Sequence, residues 1–102
     1  MLKHCVFANF QTNYSQEERH TLLAGFAEVA KDVPGMLGFC FGKNLDFEAK
    51  SAGYSDGFVV TFTNREAHLA YESHPHHIAL GATLVSMCVN GLDGIIVFDL
   101  MI

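Results

Sequence analysis

The residues of this chain best suited to proton transfer crowd into one stretch, Tyr71-Glu72-Ser73-His74-Pro75-His76-His77. An imidazole with a pKa near ~6.5 can take a proton from a carbon beside a carbonyl and return it at neutral pH. A phenol on the same wall can donate a hydrogen bond to the oxyanion that develops. Tyr71 falls in the last turn of an expected short helix and His77 just past the His74-Pro75 break, so both can project into one pocket. Plain structural roles exist for each. Tyr71 can pack a core with its hydroxyl at the edge, and His77 can satisfy backbone groups at a helix junction. His74 beside Pro75 reads as the end of one helix and the cap of the next. The three histidines make a poor zinc site. Neighbours on a helix point about 100° apart, no cysteine is near in sequence, and zinc sites take three or four converging ligands. No metal and no cofactor is expected.

His4 lies between Leu2 and Val6 and reads as a core or interface histidine. Asp56, at a strand entrance, reads as a solvated turn carboxylate. Brought near His77 or His4 it would instead raise that imidazole's pKa and hold its tautomer. His20 and His68 read as helix-surface residues. Cys5, Cys40 and Cys88 are far apart, odd in number and set in apolar runs. Buried free thiols in a reducing compartment are expected, not disulfides.

The elements that position these residues follow from hydrophobic periodicity. Leu2 to Phe10 reads as a strand that is polar on neither face, a pattern for a strand covered on both sides. Ser15 and Glu18 have capping-box spacing, and Leu22, Phe26, Val29 and Val33 continue as one helical stripe until Val33-Pro34-Gly35 stops it. Met36 to Lys43 alternates large residues (Leu37, Phe39, Phe41) with Met36, Gly38, Cys40 and Gly42, so one face is left for close approach. Tyr54 to Thr63 is a strand rich in β-branched and aromatic residues. Asn64 caps a short helix, Arg65 to Ser73, with Leu69 and Ala70 turned inward. Pro75 opens a second helix to about Asn90, ended by Gly91, and Gly94 to Met101 is the last strand.

The order β-α-β-β-α(α)-β predicts an α+β, ferredoxin-like fold over residues 1–102. Its four-stranded antiparallel sheet carries helices on one face. The chain has 102 residues, of which 50% are hydrophobic and only 17% charged, with mean hydropathy +0.22. Helices cover only one face, yet the strands are apolar on both, so a second copy of the sheet is the expected cover: a homodimer. Six Lys/Arg stand against eleven Asp/Glu, a net charge of −5, which leaves no basic face for nucleic acid. The uncharged run Ser73 to Leu92 holds three histidines, a proline and two glycines, so it reads as a buried or interfacial helix and not a membrane span. The start shows no signal-peptide pattern, and a cytoplasmic location is expected.

Four patterns then recur together: Lys3-His4; Gly53-Tyr54-Ser55-Asp56 leading into Phe58-Val59-Val60-Thr61-Phe62; Tyr71-x-x-His74-Pro75-x-His77; and the closing Val97-Phe98-Asp99. In this order and spacing the whole chain resembles the stress-responsive alpha/beta barrel domain (Dabb) family. The resemblance implies two ferredoxin-like protomers closing into a dimeric alpha+beta barrel, with a small-molecule pocket between sheet and helices. One branch of the family comprises plant polyketide cyclases acting by intramolecular aldol condensation. Its catalytic tyrosine and histidine fall on Tyr71 and His77, and its first-strand pocket histidine falls on His4. A second pocket histidine is replaced here by Asp56, which breaks the pattern. Asp56 and His74 nevertheless stand with His4 as the expected substrate-binding residues. Some relatives hold a cation on backbone carbonyls, which would fall at about Ala30, Val33 and Met36. Three functions compete: a binding or stress-associated module, a cofactor-free cyclase or lyase with His77 as base and Tyr71 as donor, and a cofactor-free monooxygenase.

Overall fold

Reciprocal side-chain caps start the first helix where the spacing predicts. Ser15 Oγ accepts from the Glu18 N–H at 3.1 Å, while Glu18 Oε1 accepts from the Ser15 N–H at 3.0 Å. The helix α1 runs Gln16–Lys31 in a computed structural model that describes residues 1–102. The remaining elements are β1 (Leu2–Ala8), β2 (Met36–Lys43), β3 (Asp56–Phe62), α2 (Arg65–Glu72), α3 (Pro75–Met87) and β4 (Ile95–Met101), with a 3₁₀ turn at Gly91–Gly94. The strands form one antiparallel sheet in the order β2-β3-β1-β4, the ferredoxin-like arrangement. No helix is long and apolar enough to cross a membrane.

The core lies between the sheet and the helices. Leu2, Val6 and Ala8 of β1 and Phe58, Val60 and Phe62 of β3 are buried under the α1 stripe of Leu22, Phe26 and Val29 and under Val33, which the expected helix included but which lies past the Asp32 cap. Phe58 stacks on Phe26 at 5.1 Å and on Phe39 at 5.2 Å between ring centroids. Such aromatic pairs are worth about 0.5–1.5 kcal/mol each beyond the area they bury.

Several expected boundaries shift for identifiable reasons. The first strand ends at Ala8, with Phe10 forming an isolated bridge to Cys88. That bridge and the Val89 N–H to Asn9 carbonyl bond (2.8 Å) pull Cys88 into extended backbone. α3 therefore ends at Met87, short of Asn90. A bulge between Met36 and Gly38 moves Met36 to the helix side opposite Phe62 and leaves Leu37 exposed. One extra residue in a strand reverses the facing of those before it. In α2 the inward residues are Ala67, His68 and Tyr71, whereas Leu69 and Ala70 are exposed. Of the cysteines, all free, Cys88 is buried, Cys5 half-buried and Cys40 exposed on the protomer. The expectation of three buried thiols holds only for Cys88, whose thiol is pushed up to about 11 by burial.

The far face of the sheet carries no helix. Pairing places Cys5 and Phe7 of β1, Val59 of β3, Cys40 of β2, and Ile96, Phe98 and Leu100 of β4 on it. Phe98 and Leu100 are about half exposed. A side chain begun at Gly38 or Gly42 would meet nothing within 4 Å, so the small-residue face is open.

Candidate functional site

At the centre of the sheet, His4 faces the helices. Its cross-strand neighbours are Val60 on β3 and Asp99 on β4. A carboxylate only accepts, so the 2.6 Å contact is His4 Nδ1–H donating to Asp99 Oδ1. That bond fixes the ring and, in its neutral form, leaves Nε2 as the free acceptor. The helix α2 closes over this pair. Asn64 Oδ1 accepts from the Ala67 N–H at 3.0 Å and sets the helix start, which turns His68 and Tyr71 toward β1. The His68 ring lies 4.6 Å from His4 between centroids, and the Tyr71 ring 6.1 Å. His74 then ends the corner and caps α3, its Nδ1 accepting from the His76 N–H at 3.1 Å, with Pro75 in the first turn. This corner brings His77 edge-on to Tyr71 at 4.4 Å, with Phe26 on its other side at 5.5 Å.

Burial sets the protonation states. The Tyr71 phenol is fully buried and its pKa is raised by desolvation, so it remains a donor. Burial lowers the His77 pKa, and a nearby His4 charge adds to the effect, against opposing pulls from the Glu72 charge and the Glu72 backbone. His68 is lowered for the same two reasons, in the same order, against an opposing pull from Asp99. Burial and the His4 charge thus favour the uncharged imidazole at both positions. Tyr71 Oη, His77 Nδ1 and His68 Nδ1 are all buried without a hydrogen-bond partner. An unpaired buried polar atom costs about 1–3 kcal/mol.

The expected site residues divide accordingly. His4, Tyr71 and His77 come together. Asp56 does not join them: it pairs with Ala8, four residues along the strand from the residue facing His4, roughly 13 Å away. It is no solvated turn carboxylate either, being 1% exposed. Arg19 Nε donates to Asp56 Oδ1 at 2.7 Å, and Arg19 Nη1 holds the Tyr14 carbonyl at 2.9 Å. His20 Nε2 sits 3.3 Å from Asp56 Oδ2, out of line for a hydrogen bond, so His20 is half-buried at an ion pair and not on open surface. His74 takes the capping role already described.

Two residues of the cluster, His68 and Asp99, escape the sequence reading. The helical phase of Tyr71 points to His68, three positions before it, and the β1–β4 register brings in Asp99. The four main surface depressions are lined by other residues. The foremost, about 630 Å³, lies on the open sheet face and includes Phe7, Cys40, Lys43, Tyr54, Val59 and Phe98.

Comparison with known proteins matches this architecture. The family model described as Stress responsive A/B Barrel Domain (Dabb) matches residues 2–102. The chain is 30% identical over 98 residues to Stress-response A/B barrel domain-containing protein HS1 of Arabidopsis thaliana, covering 96% of this chain and 86% of that protein. It is 24% identical over 80 residues to olivetolic acid cyclase of Cannabis sativa, covering 78% of this chain and 79% of the cyclase. Among solved structures, a dimeric ferredoxin-like protein of unknown function from Jannaschia sp. CCS1 superimposes with a TM-score of 0.91 at 39% identity, covering 99% of this chain and 98% of that one. The chain belongs to the stress-responsive A/B barrel domain (Dabb) family.

Proposed function

We propose that this protein is a homodimer, joined through its open sheet faces into a barrel, whose protomers each bind a small apolar or aromatic molecule beside Tyr71 and His77. The observation that carries the ligand site is the pair of buried, unpartnered polar atoms, Tyr71 Oη and His77 Nδ1, on two rings whose centroids are 4.4 Å apart. A carbonyl or hydroxyl on the ligand would supply what both atoms lack, while Phe26, Phe58 and Phe62 offer apolar walls. His4 lines the same site, held by Asp99. Asp56 and His74 act structurally, as ion-pair anchor and helix cap. Tyr71 is fully buried, so ligand entry requires the corner between α2 and α3 to move. The dimer is supported by the exposed apolar open face and by the dimeric state of the solved relative from Jannaschia. Three free thiols suit a reducing compartment, and we assign the protein to the cytoplasm.

A second reading has its own support. An uncharged His77 beside a protonated Tyr71 is a base next to a hydrogen-bond donor, the arrangement that enolisation or aldol-type cyclisation requires. The similarity to olivetolic acid cyclase favours that chemistry over other proton transfers.

A thermal-shift panel of aromatic and polyketide-like small acids on wild type, His77→Ala and Tyr71→Phe tests both readings. Binding at a hundred-fold excess over Kd stabilises the native state by ~2.7 kcal/mol. The expected result is a stabilising ligand whose effect is lost in His77→Ala and weakened in Tyr71→Phe. A ligand that stabilises all three proteins equally would place its site elsewhere. Turnover of the bound ligand, lost in both variants, would promote the enzymatic reading.

A further inference from the structure

His4, His68 and Asp99 come from β1, α2 and β4, and each offers a ligand atom within 4.8 Å of the other two. We propose that these three side chains form a binding site for one divalent transition-metal ion per protomer, of the class served by two imidazoles and a carboxylate, such as zinc, cobalt or iron(II). Bonds of about 2.0–2.2 Å to such an ion put neighbouring ligand atoms about 3.4 Å apart. The widest pair therefore closes by about 1 Å. His4 and Asp99, now joined by a hydrogen bond of 2.6 Å, either give up the proton between them to solvent and open to the ion or keep it as His4 turns Nε2 to the ion. His68 supplies an independent observation. It is 5% exposed and its Nδ1 has no partner, an unsatisfied donor or acceptor within the cluster. Asp99, by contrast, has a side chain 39% exposed, which gives an ion a route from solvent. Three protein ligands leave a coordination position open for water or a ligand oxygen, the arrangement of catalytic rather than structural sites.

The proposal departs from the sequence expectation of no metal. That expectation weighed His74, His76 and His77, and His68 read as a surface residue. It does not depend on Tyr71 and His77 holding a ligand, because its own residues and its own probe test it. The experiment is titration of the full-length protein with cobalt(II) followed by its visible absorption, with zinc(II) as competitor, on wild type, His68→Leu, Asp99→Asn and His76→Ala. Asp99 is partly exposed, so Asp99→Asn keeps the measurement decisive even where His68→Leu disturbs the core.

One ion per protomer is expected, with a low-symmetry cobalt spectrum that zinc abolishes. Loss of a direct ligand in Asp99→Asn or His68→Leu should weaken binding by more than the ~10–100-fold that removing an outer-shell partner costs. His76→Ala should leave it unchanged. The proposal is overturned by the absence of a saturable cobalt spectrum, by equal binding in Asp99→Asn and wild type, or by loss of binding in His76→Ala, which would put the ion at the exposed His76 of α3.

Discussion

Replacing Phe98 by aspartate is expected to turn a dimer into a monomer at concentrations where the wild type is fully paired. Phe98 stands about half exposed on the open sheet face, 6.2 Å from the Phe7 ring and at the rim of the main depression. In the proposed sheet-to-sheet dimer it becomes a central aromatic anchor. Truncating such anchors costs about 2–4 kcal/mol or more, and a carboxylate left unpaired at the interface adds to that. A loss on the order of 4 kcal/mol raises the dissociation constant about a thousand-fold. Light scattering after size exclusion reads the outcome directly. A monomer with intact far-UV circular dichroism is the expected result. A variant that remains dimeric would move the interface off the open face.

The second large effect belongs to the buried ion pair. Arg19→Met leaves Asp56, whose side chain has no exposure, without its hydrogen-bonded cation and with only the poorly aligned His20 ring beside it. Breaking a buried pair from one side costs about 3–5 kcal/mol, because the remaining charge is neither solvated nor neutralised. Urea unfolding at fixed protein concentration should show this loss in Arg19→Met, and recovery of most of it in the double variant Arg19→Met/Asp56→Leu. A cost below ~1 kcal/mol would mean that water or the neighbouring His20 takes over from Arg19, against the burial of Asp56 and the poor alignment of His20.

That ion pair also marks where sequence reading runs out. The alternation of β3 puts Asp56 on the same face as Phe58, Val60 and Phe62, so its burial was legible from period two alone. Its partner was not, since Arg19 lies 37 residues away on another element. Local grammar fared better. The capping box at Ser15, the Asn64 cap, the His74-Pro75 corner and the α1 stripe from Leu22 to Val29 are short-range devices found where their residues predict, although the helix stops at Lys31, two residues before Val33. The α2 phase was misjudged because Leu69 outranks His68 in hydrophobicity. Tyr71 fixes the phase and turns His68 inward, while Leu69 stands 45% exposed. The His4–Asp99 contact depends on strand register, which no spacing within either strand specifies.

The proposed function stands on His77 being an uncharged, half-buried imidazole whose Nδ1 is shielded from water beside a protonated Tyr71. The most direct measurement is the titration of His77 by NMR in ¹⁵N-histidine-labelled protein, from mildly acid to mildly alkaline pH. Burial lowers its pKa below the ordinary value of 6.5, so the folded protein should keep His77 neutral at pH values where the unfolded chain has already taken up a proton. The linked stability is then fully present above pH 6.5 and falls as the pH drops through that value toward the folded pKa. The expected midpoint lies below 6.5, with a matching loss of stability on that acid side. A midpoint at or above 6.5 would contradict it, showing His77 open to water or held charged by an acid group, and unfit as the neutral partner of Tyr71.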